Sequence, residues 1–284
     1  MSTLVGGLGI SHTPSMGVEY DRAEAPGVAG NPAWQAWFDG TRLIRDALAS
    51  LEADHLVVVY NDHLNYFSLD NLPTLAIGIG DRFAQADEGW GPRPVADLGG
   101  DAAWGIHLAE QLVAQGFDPQ LCLTLEVDHG IYSWFPYLFD QPWPVPITPI
   151  AVNMVCQPVP TSARMVQLGR ALRVAIDRYP ADARVVVVAT GGMSHQISGA
   201  RFGIANEQLD RTFLDLLPGH FDELAAVPVD ELMRFGGTEA AELILWYAMR
   251  AALSDDVRVV QAFQTFPAIT GCGALVLAEP VAAA

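Results

Sequence analysis

Four histidines of this 284-residue chain each follow closely after a strand-like run of apolar residues. They are His12, His63, His129 and His195. Neutral imidazole binds divalent metals, and it also exchanges protons near pH 7. A group of four could therefore divide into metal ligands and acid–base groups. The other histidines lack this placement, and we predict structural roles for His55, His107 and His220.

A divalent metal would also need a carboxylate ligand, and the sequence offers several. Asp62 and Asp128 each precede a histidine and are candidates for orienting its ring. Glu126 lies within a strand-like run. Glu239 and Glu242 are three residues apart in the first turns of the last predicted helix, so they share a face. A negative charge on Glu239 would be stabilised by the dipole at the helix N-terminus. Glu242 lies among apolar residues, where burying a carboxylate costs free energy unless a positive group pairs with it.

The spacing of these residues leaves the chemistry open. Two histidines and a carboxylate form the facial triad of Fe(II) oxygenases, and the same set suits catalytic zinc. No HExxH motif is present to distinguish the two metals. Ser194 beside His195 is not a catalytic triad, and the G-x-S-x-G motif is absent. The glycines at 6, 7 and 9 lack the GxGxxG order and are a weak phosphate signal.

The hydrophobic pattern predicts strands that end just before the four histidines. Strands are predicted at 4–10, 56–60, 73–79, 121–127, 147–152, 185–190, 257–263 and 273–277. Helices are predicted at 41–51, 101–115, 161–179, 206–217 and 239–253, the last capped by Thr238. Loops are predicted at 17–40 and, because of its Pro and Gly residues, at 87–95. The alternation indicates an α/β fold: a single domain, 1–284, with a central mixed or mostly parallel sheet covered by helices on both faces.

In such a sheet, ligands bind beyond the carboxyl ends of the strands. If the four strands that precede the histidines are roughly parallel, the four imidazoles converge on one edge of the sheet. The pattern therefore predicts one site that at least two of these histidines share.

The composition excludes several classes of function. The formal charge of −18 disfavours nucleic acid and anionic membranes as partners. All 15 basic residues are arginine, so Schiff-base chemistry and a P-loop lysine are excluded. The three cysteines lack CxxC spacing and indicate a reducing compartment. No basic leader or 20-residue apolar stretch is present, so we expect a cytoplasmic protein that does not span a membrane.

Six motifs of the chain match a known family. They lie at 11–14, 59–63, 86–95, 127–130, 190–196 and 239–243. Through them the chain resembles the class III extradiol ring-cleaving dioxygenases, in particular the catalytic β subunits of protocatechuate 4,5-dioxygenases. The resemblance runs nearly end to end, and several of the motifs are long and rare. It implies an enzyme that opens a catecholic ring beside the diol and inserts both atoms of O₂.

The resemblance assigns roles that the spacing left open. It implies that His12, His63 and Glu242 bind Fe(II) and that His195 is the catalytic acid–base. It places His129 as a second catalytic histidine lining the same pocket. All five residues are present, which disfavours a metal-free, inactive relative. Two rival functions are a zinc-dependent hydrolase using the same ligands and a non-catalytic partner subunit of a dioxygenase.

One departure from the family concerns the substrate. Protocatechuate enzymes carry a Ser-Asn pair after Pro-Ala near the C-terminus, where this chain has Ile269-Thr270 after Pro267-Ala268. A less polar pocket and a catecholic aromatic acid resembling protocatechuate or gallate are therefore expected. Arg93 and Arg201 are further candidates for substrate selection. The family also implies a partner over the site, either a small helical α subunit or a second copy of the chain.

Overall fold

Eight strands form one mixed sheet in the computed structural model, which describes residues 2–89, 91 and 93–280. They are β1 (Thr3–Ile10), β2 (His55–Tyr60), β3 (Leu75–Gly78), β6 (Gln120–Cys122), β7 (Ile147–Val152), β8 (Arg184–Thr190), β9 (Arg258–Thr265) and β10 (Cys272–Ala278). Their order is β6-β3-β7-β2-β8-β1-β10-β9. The four central strands β7, β2, β8 and β1 are parallel. A separate two-stranded ribbon joins β4 (Arg82–Phe83) to β5 (Leu98–Gly99).

Helices cover both faces of the sheet, as the sequence predicts. They are α1 (Pro14–Glu24), α2 (Gln35–Ala49), α3 (Ala102–Ala114), α4 (His129–Tyr132), α5 (Phe135–Leu138), α6 (Ser162–Asp177), α7 (Glu207–Gly219), α8 (Phe221–Ala225), α9 (Val229–Gly236) and α10 (Leu243–Ala252). Short 3₁₀ helices lie at Pro32–Trp34, Gly199–Arg201 and Thr238–Glu242. Among the described residues, none of these helices has the length and apolar character needed to cross a bilayer.

The strand β2 shows why the sheet is apolar on both faces. Val57 and Val59 pack into the core formed with α3, α6 and α10, whereas Leu56, Val58 and Tyr60 pack into the core formed with α2, α4 and α5. Successive side chains of a strand point to opposite faces, so a continuous apolar run is required here. The predicted α/β fold with a mostly parallel sheet is confirmed.

The helix α10 carries the region of Glu242 onto the sheet. Residues 243–249 are fully buried, so the helix is apolar all round and lies inside the core. Gly9 of β1 faces Trp246 of α10, and a Cβ at that position would overlap the indole ring. The missing side chain lets helix and strand approach closely, which fixes Glu242 near the ends of the central strands.

One strand prediction was wrong in extent and direction. Residues 121–127 were expected to form a strand, but β6 ends at Cys122, and Leu123 and Leu125 lie outside any strand. The neighbouring β3 ends at Gly78 and the chain bends at Gly80, so no strand remains for 123–126 to pair with. Because β6 runs opposite to the central strands, His129 reaches their carboxyl ends through the segment 123–128 rather than from a parallel strand.

Two further predictions of local structure were wrong. The segment 17–40 is mostly helical, because Thr13 caps α1 and Pro14 stands at its first turn. Thr238 does not cap a long α-helix: the segment Thr238–Glu242 is a 3₁₀ helix, and α10 begins only at Leu243. The loop prediction for 87–95 agrees with the described part of that segment, while Trp90 and Pro92 lie outside the described residues.

His55 gives the fold a predictable dependence on pH. It is buried at the start of β2, where its Nε2 meets Thr148 Oγ1 at 2.9 Å and its ring stacks on Trp104. Burial lowers the pKa of His55 to about 4, from 6.5. The unfolded chain therefore binds a proton between these values that the folded chain does not. We expect His55 to cost about 3 kcal/mol of stability as pH falls from 7 to 4.

A glutamine at position 55 provides the comparison, because it can bond to Thr148 without gaining charge. The free energy of unfolding of the wild type, relative to His55→Gln, should fall by about 3 kcal/mol between pH 7 and pH 4. Urea denaturation at matched pH values measures this difference. A difference that stays constant across the range would contradict the assignment.

Candidate functional site

The carboxyl ends of three adjacent central strands bring predicted site residues together. His12 follows β1, residues 191–195 follow β8, and His63 follows β2. The ring centroids of His12 and His63 are 4.9 Å apart, and those of His63 and His129 are 3.9 Å apart. The expected convergence of histidines on one sheet edge is thus present for these three rings.

His12 is held with one nitrogen free. Its ring is 2% exposed, and its Nδ1 lies 2.8 Å from Thr190 Oγ1. The Thr190 hydroxyl donates its proton to the carbonyl oxygen of Gly130, so it must accept from His12 Nδ1–H. The lone pair of His12 is therefore on Nε2. This buried nitrogen has no hydrogen-bond partner among the described residues, and such an orphan calls for an explanation.

His63 is oriented by a carboxylate from another segment. Its Nδ1 lies 2.9 Å from Asp128 Oδ2, and the same oxygen accepts from the backbone N–H of His63 at 2.8 Å. Asn65 and Gly130 donate to Asp128 as well. A carboxylate on Nδ1 fixes the tautomer that leaves Nε2 free, as for histidines that bind metals.

Glu242 lies opposite both free nitrogens. Its Oε2 is 3.4 Å from His12 Nε2, and its Oε1 is 3.5 Å from His63 Nε2. The carboxylate is itself held by Gly192 N–H at 2.6 Å and by Asn61 Nδ2 at 3.3 Å. Adjacent ligands of one divalent ion, each about 2.0–2.2 Å from it, lie roughly 3.0–3.5 Å apart. The three side chains therefore fit a shared metal ion, which also accounts for the orphaned His12 Nε2.

The charges of this cluster depend on one another. Burial acts to raise the pKa of Glu242, but the neighbouring His12 and His63 outweigh it and hold that pKa well below its usual range. Burial acts to lower the pKa of His63, but Asp128 and Glu242 outweigh it and raise that pKa to about 10. Without a metal, His63 therefore carries a proton at neutral pH, and a metal ion must displace it.

His129 has its own carboxylate partner. Glu88 accepts from the His129 backbone N–H at 2.5 Å and meets its Nδ1 at 3.0 Å. One nitrogen of His129 lies within 4.8 Å of a nitrogen of His12 and of His63. Asp128, which precedes His129 in sequence, binds His63 instead. Asp62 does not orient a ring: it accepts from the backbone N–H groups of residues 66 and 67.

His195 packs against Gly192, the residue whose backbone N–H binds the Glu242 carboxylate. Its Nδ1 donates to the carbonyl oxygen of Met193 at 2.8 Å, and its Nε2 makes no hydrogen bond to the part of the chain that the structure describes. The ring packs over Gly192, whose N–H binds Glu242, and a Cβ at Gly192 would overlap it. Thr270 pairs with His195 through an antiparallel bridge, which places the Ile269-Thr270 pair at the same site.

The other candidates bind partners outside the cluster of His12, His63 and Glu242, although Arg93 lines a cavity together with Glu88 and His129. Glu239 is partly exposed and accepts from Thr238 Oγ1 and the Ile197 N–H. Glu126 is exposed in the segment after β6. Arg93 is bound by Asp21 and the Tyr132 carbonyl, and Arg201 donates to the Arg234 carbonyl. The remaining histidines have structural partners: His55 with Thr148, His107 with the Ala175 carbonyl and His220 with Glu223.

The sequence did not identify the residues that orient these groups. Thr190, Asn61 and Glu88 stand within matched motifs, but nothing in their spacing assigns their partners. Asp210 is fully buried and binds Ser194, and it stands outside every motif. Burial raises the pKa of Asp210 to about 6, against the hydrogen bonds from Ser194 and the charge of His195. A buried acid in an otherwise amphipathic helix is the one signal that could have identified it.

Comparison with known proteins identifies the family to which the chain is similar. Residues 6–277 match the family model described as the catalytic LigB subunit of aromatic ring-opening dioxygenase. The chain is 41% identical over 194 residues to a gallate dioxygenase of Pseudomonas putida, covering 68% of this chain and 57% of that protein. The chain thus spans little more than half the length of this relative.

Two further comparisons extend the likeness. A 2,3-dihydroxyphenylpropionate/2,3-dihydroxicinnamic acid 1,2-dioxygenase of Cupriavidus necator is 29% identical over 259 residues, covering 74% of this chain and 79% of that one. The crystal structure of an uncharacterized protein from Escherichia coli K12 superposes with a TM-score of 0.56 at 14% identity. It covers 97% of this chain and all of that one. At this identity the structural likeness concerns the fold alone.

Proposed function

Because this chain belongs to the family of catalytic LigB subunits of aromatic ring-opening dioxygenases, we propose that it is an extradiol dioxygenase that inserts both atoms of O₂ beside the diol of a catecholic aromatic acid. The observation that carries the proposal is the pair of imidazole Nε2 atoms, on His12 and His63, that face the buried Glu242 carboxylate. The family resemblance implies these three ligands, and the short distances between their side chains support the same chemistry.

We propose that His12, His63 and Glu242 bind Fe(II). Two histidines and a carboxylate leave positions open for substrate and O₂. Zinc fits the same donors, but it has no redox chemistry, and ring opening by O₂ requires a redox-active metal. A bound ferrous ion would supply that redox chemistry and hold both reactants together. Asp128 and Thr190 orient the two rings, while Asn61 and Gly192 hold the carboxylate.

We propose that His195 moves the protons of the reaction and that His129 assists within the same pocket. His195 Nε2, with Nδ1–H bonded to Met193, has the free lone pair needed to take a proton from a substrate hydroxyl and to return it later. His129 Nδ1 is bonded to Glu88, which fixes its ring beside His63. Fixed tautomers of this kind are what general acid–base catalysis requires.

The substrate is proposed to be a protocatechuate- or gallate-like acid. The relatives are named for gallate and for 2,3-dihydroxyphenylpropionate, and both are aromatic acids with adjacent hydroxyl groups. Ile269 is 40% exposed beside Thr270, which pairs with His195. These two residues are therefore placed to contact ring substituents, and their limited polarity favours a substrate other than protocatechuate.

An oxygen-uptake experiment tests this function. The protein, prepared without O₂ and loaded with Fe(II), should consume O₂ with gallate, protocatechuate or 2,3-dihydroxyphenylpropionate. With ¹⁸O₂, both labelled atoms should appear in the ring-opened product. The matched control is 3,5-dihydroxybenzoate, whose hydroxyls are not adjacent. The hydrolase alternative is tested by the same measurement, because a zinc-dependent hydrolase would consume no O₂ with any of these catechols. Absence of O₂ uptake with all three catechols would overturn the proposal.

A cover for the site is also proposed, either a small helical subunit or a second copy of this chain. The segment that follows His195 exposes apolar side chains, with Ile197 58% and Phe202 63% exposed. Sedimentation of the isolated chain decides whether it associates with itself. Cytoplasmic location and a single catalytic domain over 1–284 stay predictions from the sequence.

A further inference from the structure

Asp210 is a fully buried carboxylate near the site that the proposed chemistry does not use. It lies in the first turns of α7 with no exposed surface, and no arginine or histidine pairs with it among the described residues. A buried carboxylate without a cation destabilises the fold unless hydrogen bonds compensate. Both of its oxygens are committed to one residue, Ser194. This arrangement indicates a task beyond packing.

The two contacts with Ser194 lie directly behind His195. Asp210 Oδ1 accepts from the Ser194 backbone N–H at 2.9 Å, and Oδ2 accepts from its hydroxyl at 2.7 Å. Ser194 Oγ in turn accepts from the Asn206 N–H at 2.6 Å. The segment before His195 is thereby tied to the N-terminus of α7.

One peptide group connects Asp210 to the imidazole. The N–H of Ser194 and the carbonyl of Met193 belong to the same planar peptide. Asp210 accepts from the N–H end, and the carbonyl end accepts from His195 Nδ1–H at 2.8 Å. A carboxylate on the N–H side polarises the peptide and makes its carbonyl a stronger acceptor, because hydrogen bonds in a chain reinforce one another.

The opposite side of this segment is fixed as well. Met193 N–H donates to the Gly271 carbonyl at 3.1 Å, and Gly271 N–H donates to the Ser194 carbonyl at 3.0 Å. A Cβ on Gly271 would overlap Asp210 Oδ2. The peptide is thus held between Asp210 on one side and Gly271, which directly precedes β10, on the other.

We propose that Asp210 is a positioning residue that acts on His195 through the Met193–Ser194 peptide. It fixes the orientation of that peptide and so selects the His195 tautomer with the proton on Nδ1 and the lone pair on Nε2. The inference rests on the proposed role of His195, but the state of the His195 ring is observable without turnover.

The tautomer is tested by ¹⁵N NMR of histidine-labelled protein loaded with Zn(II) as a diamagnetic probe. The His195 signals are assigned by their loss in His195→Gln. In the wild type and in Asp215→Asn, an exposed acid of the same helix, the proton should be on Nδ1. In Asp210→Ala it should be shared between both nitrogens. Ser194→Ala, which keeps the backbone contact, should retain the wild-type tautomer.

Kinetics supply the second measurement. In the Fe(II)-loaded protein, Asp210→Ala should lower kcat by about 10- to 100-fold, the usual cost of removing an orienting partner, with KM and iron content within twofold of wild type. Asp210→Asn, which still accepts from the Ser194 N–H, should recover much of the loss.

An unchanged tautomer in Asp210→Ala, or a loss of kcat that follows iron content, would overturn the proposal. If the wild type consumed no O₂, the proposed function would be refuted. The role of Asp210 would still be decided by the NMR measurement, which does not require turnover.

Discussion

Replacing Glu242 with glutamine is expected to abolish high-affinity metal binding. The substitution keeps the shape of the side chain and an acceptor for Gly192 N–H, but it removes the negative charge that faces the Nε2 atoms of both His12 and His63. We expect the affinity for Fe(II) or Zn(II) to fall by more than about 100-fold, beyond the usual cost of losing an outer partner. Metal analysis after gel filtration and titration with Zn(II) measure this loss, and O₂ uptake should disappear with it.

Glu239→Gln is the matched control for this experiment. Glu239 lies in the same 3₁₀ helix, but its carboxylate binds Thr238 and the Ile197 N–H, so metal affinity should be unchanged. His129→Gln tests the alternative ligand set, because a nitrogen of His129 also lies close to His12 and His63. If Glu242→Gln bound metal with wild-type affinity and His129→Gln did not, His129 rather than Glu242 would be the third metal ligand.

The sequence predicts, for a physical reason, that histidines following the central strands gather at one edge of the sheet. Parallel strands that are buried on both faces are long apolar runs, and their carboxyl ends share an edge. His12 and His63 were therefore correctly expected to meet. His129 was expected there through a strand that does not exist, and it arrives by an irregular segment that no periodic pattern describes.

The partners of these histidines could not be predicted in the same way. Asp128 follows the local expectation of an orienting carboxylate, yet it binds His63, 65 residues away, rather than its neighbour His129. Glu88 reaches His129 across 41 residues, and Asp210 reaches Ser194 across 16. Such pairs depend on how loops pack, and loop packing leaves no periodic trace in sequence. The family resemblance, not spacing, proposed which carboxylate joins the histidines.

Replacing His195 with glutamine should separate metal binding from turnover. The side chain contacts none of the three proposed ligands through a described hydrogen bond, and its Nδ1 is bonded to Met193. Iron content and anaerobic binding of a catechol should therefore match the wild type. Loss of a general acid–base group should lower kcat by roughly 10²–10⁴-fold. Stopped-flow absorbance after mixing the iron- and catechol-loaded variant with O₂ measures the chemical step directly.

His220→Gln is the control, because the His220 side chain is exposed and pairs with Glu223 at the surface. It should retain wild-type kcat, iron content and catechol binding. His129→Gln tests the second histidine of the pocket, whose Nδ1 is committed to Glu88. If His195→Gln turned over within threefold of wild type while His129→Gln did not, proton transfer would belong to His129. The reactive imidazole would then be His129, with its tautomer set by Glu88, rather than His195, with its tautomer set by the Met193 carbonyl.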